Sequence, residues 1–201
     1  QTNMLNIVTP RSQGGPTEND PSPQGADSKE SSRIDEEFRK KMEAEQASFE
    51  KLEKDLKESL EKNPNLKNLK DQVQFARDKD GLRIEIIDKA DFAMFGLGTT
   101  SMTPRAQALI QEVGKLLAAM PNKVALRGHT DSLAFANTNN RNNWTLSAER
   151  AEETRKNLER QGIQTNRFAR IEGVADTVPY NPNDPKDPRN RRISITVLNN
   201  N

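Results

Sequence analysis

The 201 residues are 32% hydrophobic, 30% charged and only 4% aromatic, enough for one modest core plus non-globular sequence and hardly for two full domains. Basic and acidic side chains nearly cancel at a formal +1, which removes any general electrostatic reason to expect nucleic acid or a broad anionic surface as partner. The absence of cysteine excludes disulfides, thiolate catalysis and Cys-type zinc sites, and a single histidine excludes a multi-histidine metal centre.

No stretch approaches the roughly 18 to 20 uninterrupted apolar residues of a membrane span, and the N-terminus lacks the basic-then-apolar pattern of a signal peptide. The chain starts at Gln1, as a processed or truncated product would, which leaves room for a targeting or anchoring segment upstream. From Thr9 to Ser32 it runs through Pro10, Gly14, Gly15, Pro16, Pro21, Pro23 and Gly25, with too little apolar surface to offset chain entropy. Residues 1–32 therefore read as a flexible linker. The short patch before it, Met4, Leu5, Ile7 and Val8, reads as a disordered or partner-bound fragment.

Ser32, with Asp35 three residues on, is expected to cap a helix in which Ile34, Phe38, Met42, Phe49, Leu52, Leu56 and Leu60 recur mostly at helical spacing before Asn63-Pro64. Its apolar stripe is narrow amid dense Glu and Lys, which fits either a helix lying on the domain or one strand of a self-association pair. A second short helix is expected from Asn65 to about Ala76, with Leu66, Leu69 and Val73 on one side, so that 33–78 forms a helical segment.

The turn Lys79-Asp80-Gly81 opens the expected globular domain, 79–201, with a strand over Leu82–Ile87. Thr103 caps a helix with Pro104 at its first position, running to about Met120. Val124–Leu126 is a strand ending in Gly128, and a long polar loop, Ser132 to Thr145, then leads to Ser147 as the cap of a helix reaching Gln161-Gly162. Phe168–Glu172 and Ile193–Leu198 are strands separated by a loop rich in proline. The fold class is α+β, in the order β-α-β-α-β-β.

Two residues in this frame suggest a site. If Ser147 is the cap, Arg150 lies in the first helical turn, where a cation opposes the helix dipole. That placement makes sense if an anion binds there, held by guanidinium and free amides together; the alternative is a surface arginine paired with Glu153 or a loop acid. Asp131 follows the strand ending at Gly128, in Gly128-His129-Thr130-Asp131. Its carboxylate can accept from a ligand ammonium or from backbone amides, or it can form an Asx turn or a salt bridge to Arg150. Together, an acceptor and a bidentate donor would complement an amino-acid zwitterion.

Gly128-His129-Thr130-Asp131, Asn143, Leu146-Ser147, Arg150-Ala151 and Asn190-Arg191-Arg192-Ile193 resemble the OmpA-like peptidoglycan-binding domains over about Leu82 to Leu198. Within them, Gly81-Leu82-Arg83-Ile84-Glu85-Ile86-Ile87-Asp88, Met94-Phe95, Ala119-Met120-Pro121-Asn122-Lys123 and Asn143 through Ala151 are most similar to the periplasmic part of flagellar stator subunits of the MotB type. The resemblance implies a two-layer sandwich with a mixed sheet, and Asp131 and Arg150 holding the diaminopimelate of the peptidoglycan stem peptide. Thr130, Asn143 and Leu146 would add contacts, and of the adjacent pair Arg191-Arg192, which alternation puts on opposite sides, Arg192 is taken as the one facing the ligand. It further implies a homodimer, a MotA-like channel partner reached through a membrane helix that this chain does not contain, a periplasmic location, and no cofactor, metal or catalysis.

Other assignments stay local. A lone His129 reads as a packed or loop-bonding histidine, Trp144 as a core anchor, and Phe135 has no assigned role. A hydrolase reading would recruit His129, Asp131 and Ser147, but there is no Gly-x-Ser-x-Gly elbow and Ser147 is better explained as a cap. A structural spacer, dimerised through the helix from Ile34 to Lys62, and a general envelope tether are the remaining alternatives; nucleic-acid binding lacks a basic stripe with interleaved aromatics.

Overall fold

The computed structural model describes residues 27–133 and 142–200. Most of the expected linker, with its Met4–Val8 patch, and most of the loop after Ser132, including Phe135, lie outside the described residues. The first helix, α1, spans Asp27–Lys62, beginning before the expected cap at Ser32. The chain divides into two units, Gln1–Lys41 and Met42–Asn201. In the first, Ile34 and Phe38 are exposed and Lys40 pairs with Glu36 at 2.8 Å.

In the second unit, Phe49, Leu52, Leu56 and Leu60 are all buried and belong to the same core as the sheet. Their spacing of three or four residues keeps them on one face of α1, while the outward faces carry i,i+4 pairs such as Lys57–Glu53 at 2.6 Å, which contribute only a few tenths of a kcal/mol each. From Phe49 to Leu60 the stripe therefore lies on its own domain.

The helix expected over Asn65–Ala76 is not formed. A 3-10 turn covers Lys67–Gln72 and strand β1 covers Val73–Asp78. Leu66 and Leu69 fit the three-residue repeat of a 3-10 turn, and from Val73, which is buried, the chain runs out through half-buried Phe75 and Ala76 to exposed Arg77 and Asp78. β1 pairs antiparallel with β2, Gly81–Ile87, placing Phe75 opposite Ile84. Gly81 adopts φ 145°, and a Cβ there would lie 2.0 Å from the Val197 carbonyl oxygen. A domain boundary at residue 79 therefore falls inside a hydrogen-bonded hairpin.

From β2 onward the order is the expected one: α2 (Pro104–Ala118), β3 (Val124–His129), α3 (Asn143–Glu159), β4 (Phe168–Gly173) and β5 (Arg192–Leu198). Thr103 caps α2, its hydroxyl accepting from Ala106 N at 3.3 Å, with Pro104 in the first turn. The sheet runs β1-β2-β5-β3-β4, antiparallel throughout except for the parallel pair β3–β4. Leu82, Ile84, Ile86, Leu126, Ile193, Ile195 and Val197 form its buried face, packed with Leu109, Ile110 and Val113 of α2 and Leu158 of α3. The intervening residues make a polar ladder on the opposite face, with Glu85 across from Ser194, Arg127 across from Ser194 and Glu172, and His129 across from Arg192. This is a two-layer α+β domain with a mixed sheet.

Candidate functional site

Helix α3 lies directly on β3 and β4. A Cβ on Gly128 would meet Ser147 O at 2.0 Å, and one on Gly173 would meet Ala148 N at 2.3 Å, so only glycine permits this approach. The segment after β4 then straps the end of β3: Val174 N donates to Gly128 O at 3.1 Å and Thr130 N to Ala175 O at 2.9 Å. The result brings Thr130 and Asp131 to the same cavity wall as Asn143, Leu146 and Arg150 of α3.

The cap of that helix is Asn142, whose side chain accepts from Thr145 N at 2.9 Å. Ser147 is inside the helix, its hydroxyl donating to Trp144 O at 2.9 Å and accepting from Ala175 N at 3.0 Å. Arg150 is therefore two turns in, away from the free amides that a cap at Ser147 would have set beside it. An Asn side chain at the end of the polar loop caps equally well, and a serine can bond back to a carbonyl within its own helix.

Arg150 is 5% exposed, not a surface arginine. Its Nε donates to Thr99 O at 2.9 Å and its Nη2 to Gly96 O at 3.3 Å, with the guanidinium 5.1 Å from the centre of the Phe95 ring. Burial lowers its pKa, opposed by the nearby charges of Asp88 and Asp131.

Asp131 is 6% exposed. One carboxylate oxygen accepts from Leu133 N at 3.2 Å, an Asx-type turn; the other accepts from Arg191 Nη1 at 2.7 Å. The salt bridge considered from sequence thus goes to Arg191 and not to Arg150. Arg191 Nε in turn reaches Asp88 at 3.2 Å, and Asp88 also accepts from Met94 N at 2.8 Å. Burial raises the Asp88 pKa, partly offset by Met94 N and Arg191.

These groups face one cavity of about 570 Å³, in which Phe95, Leu97, Leu133 and Leu146 supply apolar wall and Asp88, Thr130, Asp131, Asn143, Arg150 and Arg191 supply polar atoms. Thr130 Oγ1 is buried with no hydrogen-bond partner among the described residues. Asn143 donates to Asp131 O and Leu133 O, both at 3.2 Å, pinning the loop. Of the expected contacts, Asp131, Arg150, Thr130, Asn143 and Leu146 come together here.

Arg192 does not line it. Its side chain lies on the polar face of the sheet, 3.4 Å from Glu85 and donating to Val178 O at 3.0 Å, because β5 starts at Arg192 and alternation sends its neighbour to the other side. Of the adjacent pair it is Arg191 that lines the cavity; the expected alternation is present, with the inward side taken by Arg191 and not by Arg192. Asp88 and Phe95 were missed as site residues; they arrive from the β2–α2 connection, and no local motif ties them to Asp131.

His129 is 3% exposed and packed, its Nε2 3.2 Å from Ser194 Oγ, which donates to Glu85 at 2.7 Å. Burial, then the charges of Arg192, Arg127 and Arg83, push its pKa down to about 3. With His129 bonded to Ser194 and Ser147 to backbone, the His129-Asp131-Ser147 triad is not assembled. Trp144 is 55% exposed and is no core anchor. No group of His, Asp or Glu side chains among the described residues is arranged to hold a metal ion, and none of their helices is long and apolar enough to cross a membrane.

Residues 94–192 match the OmpA family. The chain is 35% identical to motility protein B of Escherichia coli over 165 residues, covering 82% of this chain and 53% of that protein; it thus spans about half the length of this relative. Among solved structures, a MotB-like protein from Desulfovibrio vulgaris superposes with a TM-score of 0.64 at 19% identity, covering 81% of this chain and 96% of the other, which shows the fold. The cell wall anchor of the type VI secretion system from Pseudomonas aeruginosa superposes with a TM-score of 0.53 at 29% identity, covering 64% and 88%.

Proposed function

Starting from an OmpA family domain over residues 94–192, in a chain homologous to motility protein B, we propose that this protein is a periplasmic, non-catalytic peptidoglycan-binding anchor of a flagellar motor stator. The observation that carries the reading is the charge arrangement in the cavity. Arg150 is a buried guanidinium whose hydrogen-bond partners among the described residues are neutral carbonyls, so its charge is available to an anion entering the cavity. Asp131 stands on the same cavity as an acceptor for an ammonium, and Thr130 offers a buried hydroxyl with no partner among the described residues. A diaminopimelate-containing stem peptide carries the matching pair of charges.

Charge-assisted hydrogen bonds contribute about 1.5 to 3 kcal/mol each, so a single site binds weakly. Avidity among several copies in one motor supplies the holding strength while individual contacts exchange. In this reading the protein works as a homodimer, joined to a MotA-like channel subunit and to the inner membrane through a helix outside the present chain. The likeness to a wall anchor of another machine supports wall attachment independently of the motor.

The test is cosedimentation with purified peptidoglycan over a range of ionic strengths. Wild-type protein is expected in the pellet, and Asp131→Ala and Arg150→Ala in the supernatant. Because Arg150 also holds the carbonyls of Gly96 and Thr99, Asp131→Asn and Arg150→Lys accompany them, with circular dichroism confirming the fold. Full cosedimentation of all the variants would move the site elsewhere; no cosedimentation of the wild type would favour a structural spacer.

A further inference from the structure

Arg191 lies between two acids, with Nη1 on Asp131 Oδ2 at 2.7 Å and Nε on Asp88 Oδ2 at 3.2 Å. Its side chain is 24% exposed, while those of Asp88 and Asp131 are 6% and 8% exposed, so the arginine is the accessible member of the triad. It therefore already occupies the carboxylate oxygen that an incoming ammonium would seek. The other oxygen of Asp131 is engaged by Leu133 N. Across the cavity, Arg150 is tied to loop carbonyls.

We propose that Arg191 sets the head-group selectivity of this pocket: it exchanges Asp131 for the ligand's carboxylate, and so admits a residue bearing both ammonium and carboxylate while penalising one that bears ammonium alone. The inference rests on the wall-anchor reading above and adds to it a residue and a rule of discrimination.

The rule follows from charge bookkeeping. The cavity carries Asp88 and Asp131 against Arg150 and Arg191, a balanced set. A simple amine entering at Asp131 releases one arm of Arg191 into a largely buried space with no new anion, leaving the site with an extra positive charge. A zwitterion brings that anion with it. Its ammonium takes Asp131, its carboxylate receives Nη1 of Arg191 and the guanidinium of Arg150, and Nε of Arg191 stays on Asp88 as the pivot. One protein ion pair is thus replaced by three ligand pairs, and selectivity arises from the cost imposed on the wrong ligand. Arg192 cannot substitute, being committed to Glu85 on the other face of the sheet.

The experiment is an amide-shift titration of the full chain with diaminopimelate and, separately, with cadaverine, which is the same carbon chain without the carboxylates. Wild type is expected to favour diaminopimelate by about tenfold or more. Arg191→Gln should weaken diaminopimelate about tenfold and bring the ratio of the two ligands close to one. Arg191→Lys, which keeps the charge but cannot bridge Asp88 and a carboxylate at once, should fall between. A merely structural arginine would lower both affinities together, so an unchanged ratio in either folded variant overturns the proposal. If wild type binds neither ligand, the wall-anchor reading falls with it; if wild type prefers diaminopimelate and the variants keep that preference, only the role of Arg191 falls.

Discussion

Replacing His129 by glutamine should remove most of the acid sensitivity of this domain at mildly acidic pH. The imidazole is buried on the polar face of the sheet, facing Arg83 and Glu85 of β2, Arg127 of β3, and Arg192 and Ser194 of β5. Its pKa is held at about 3, against an ordinary value of 6.5. The unfolded chain therefore takes up a proton near pH 6.5 that the folded chain refuses until about pH 3. Stability is complete above the unfolded pKa and falls as the pH drops through the interval between the two. The slope approaches about 1.4 kcal/mol per pH unit, and integrating from about pH 7 to about pH 5 gives a loss of about 2 kcal/mol. His129 is the only histidine, so no other histidine contributes in that window. Asp88, whose pKa is raised, acts in the opposite sense, and comparing wild type with His129→Gln cancels it. Urea denaturation at both pH values is the assay. Wild type should lose about 2 kcal/mol more than the variant; parallel losses in the two proteins would refute the claim that a buried neutral imidazole is the cause.

Three further substitutions concern packing, two at buried contacts and one at an exposed control position. Gly128→Ala would drive a methyl group to 2.0 Å from the Ser147 carbonyl oxygen, a clash with backbone, and should destabilise by about 3 kcal/mol or more; the same change should weaken peptidoglycan cosedimentation, because α3 carries Arg150. Leu56→Ala, at a fully buried position of α1, should cost about 2 to 5 kcal/mol in urea denaturation, whereas Phe38→Ser, 64% exposed, should stay within about 0.5 kcal/mol.

Much of the fold was legible because its signals are local. Thr103-Pro104 announces α2, Lys79-Asp80-Gly81 announces a turn, and β2 and β5 alternate apolar with polar residues once one face is buried. The segment from Leu66 to Ala76 was misread because Leu66, Leu69 and Val73 satisfy a helical spacing over so short a stretch, and only pairing with β2 decides for a strand. At the site, Asp131 and Arg150 were readable as a pair, but their partners were not. Whether Asp131 meets Arg150 or Arg191, and whether Arg191 or Arg192 faces inward, depends on the parity of β5 relative to β3. That parity is fixed by cross-strand register, with His129 opposite Arg192, and not by anything within either motif. The misplaced cap had a similar origin: Asn142 and Ser147 are both competent caps, and what excludes Ser147 is its tertiary bond to Ala175 N.

The burial of α1 also limits how the chain can change its reach. Phe49, Leu52, Leu56 and Leu60 each contribute on the order of 1.5 to 3 kcal/mol by burial, so peeling that part of the helix from the domain would cost roughly 6 to 12 kcal/mol, comparable to the whole stability of an ordinary domain. Ser59 adds a 2.6 Å hydrogen bond to Glu112 of α2. A change of reach that leaves this packing intact therefore falls to the residues before Met42, where Ile34 and Phe38 are exposed. The fifteen helical residues from Asp27 to Lys41 span about 22 Å as an α-helix and up to about 50 Å as extended chain. Their conversion would add roughly 28 Å to a tether without disturbing a single residue of the pocket.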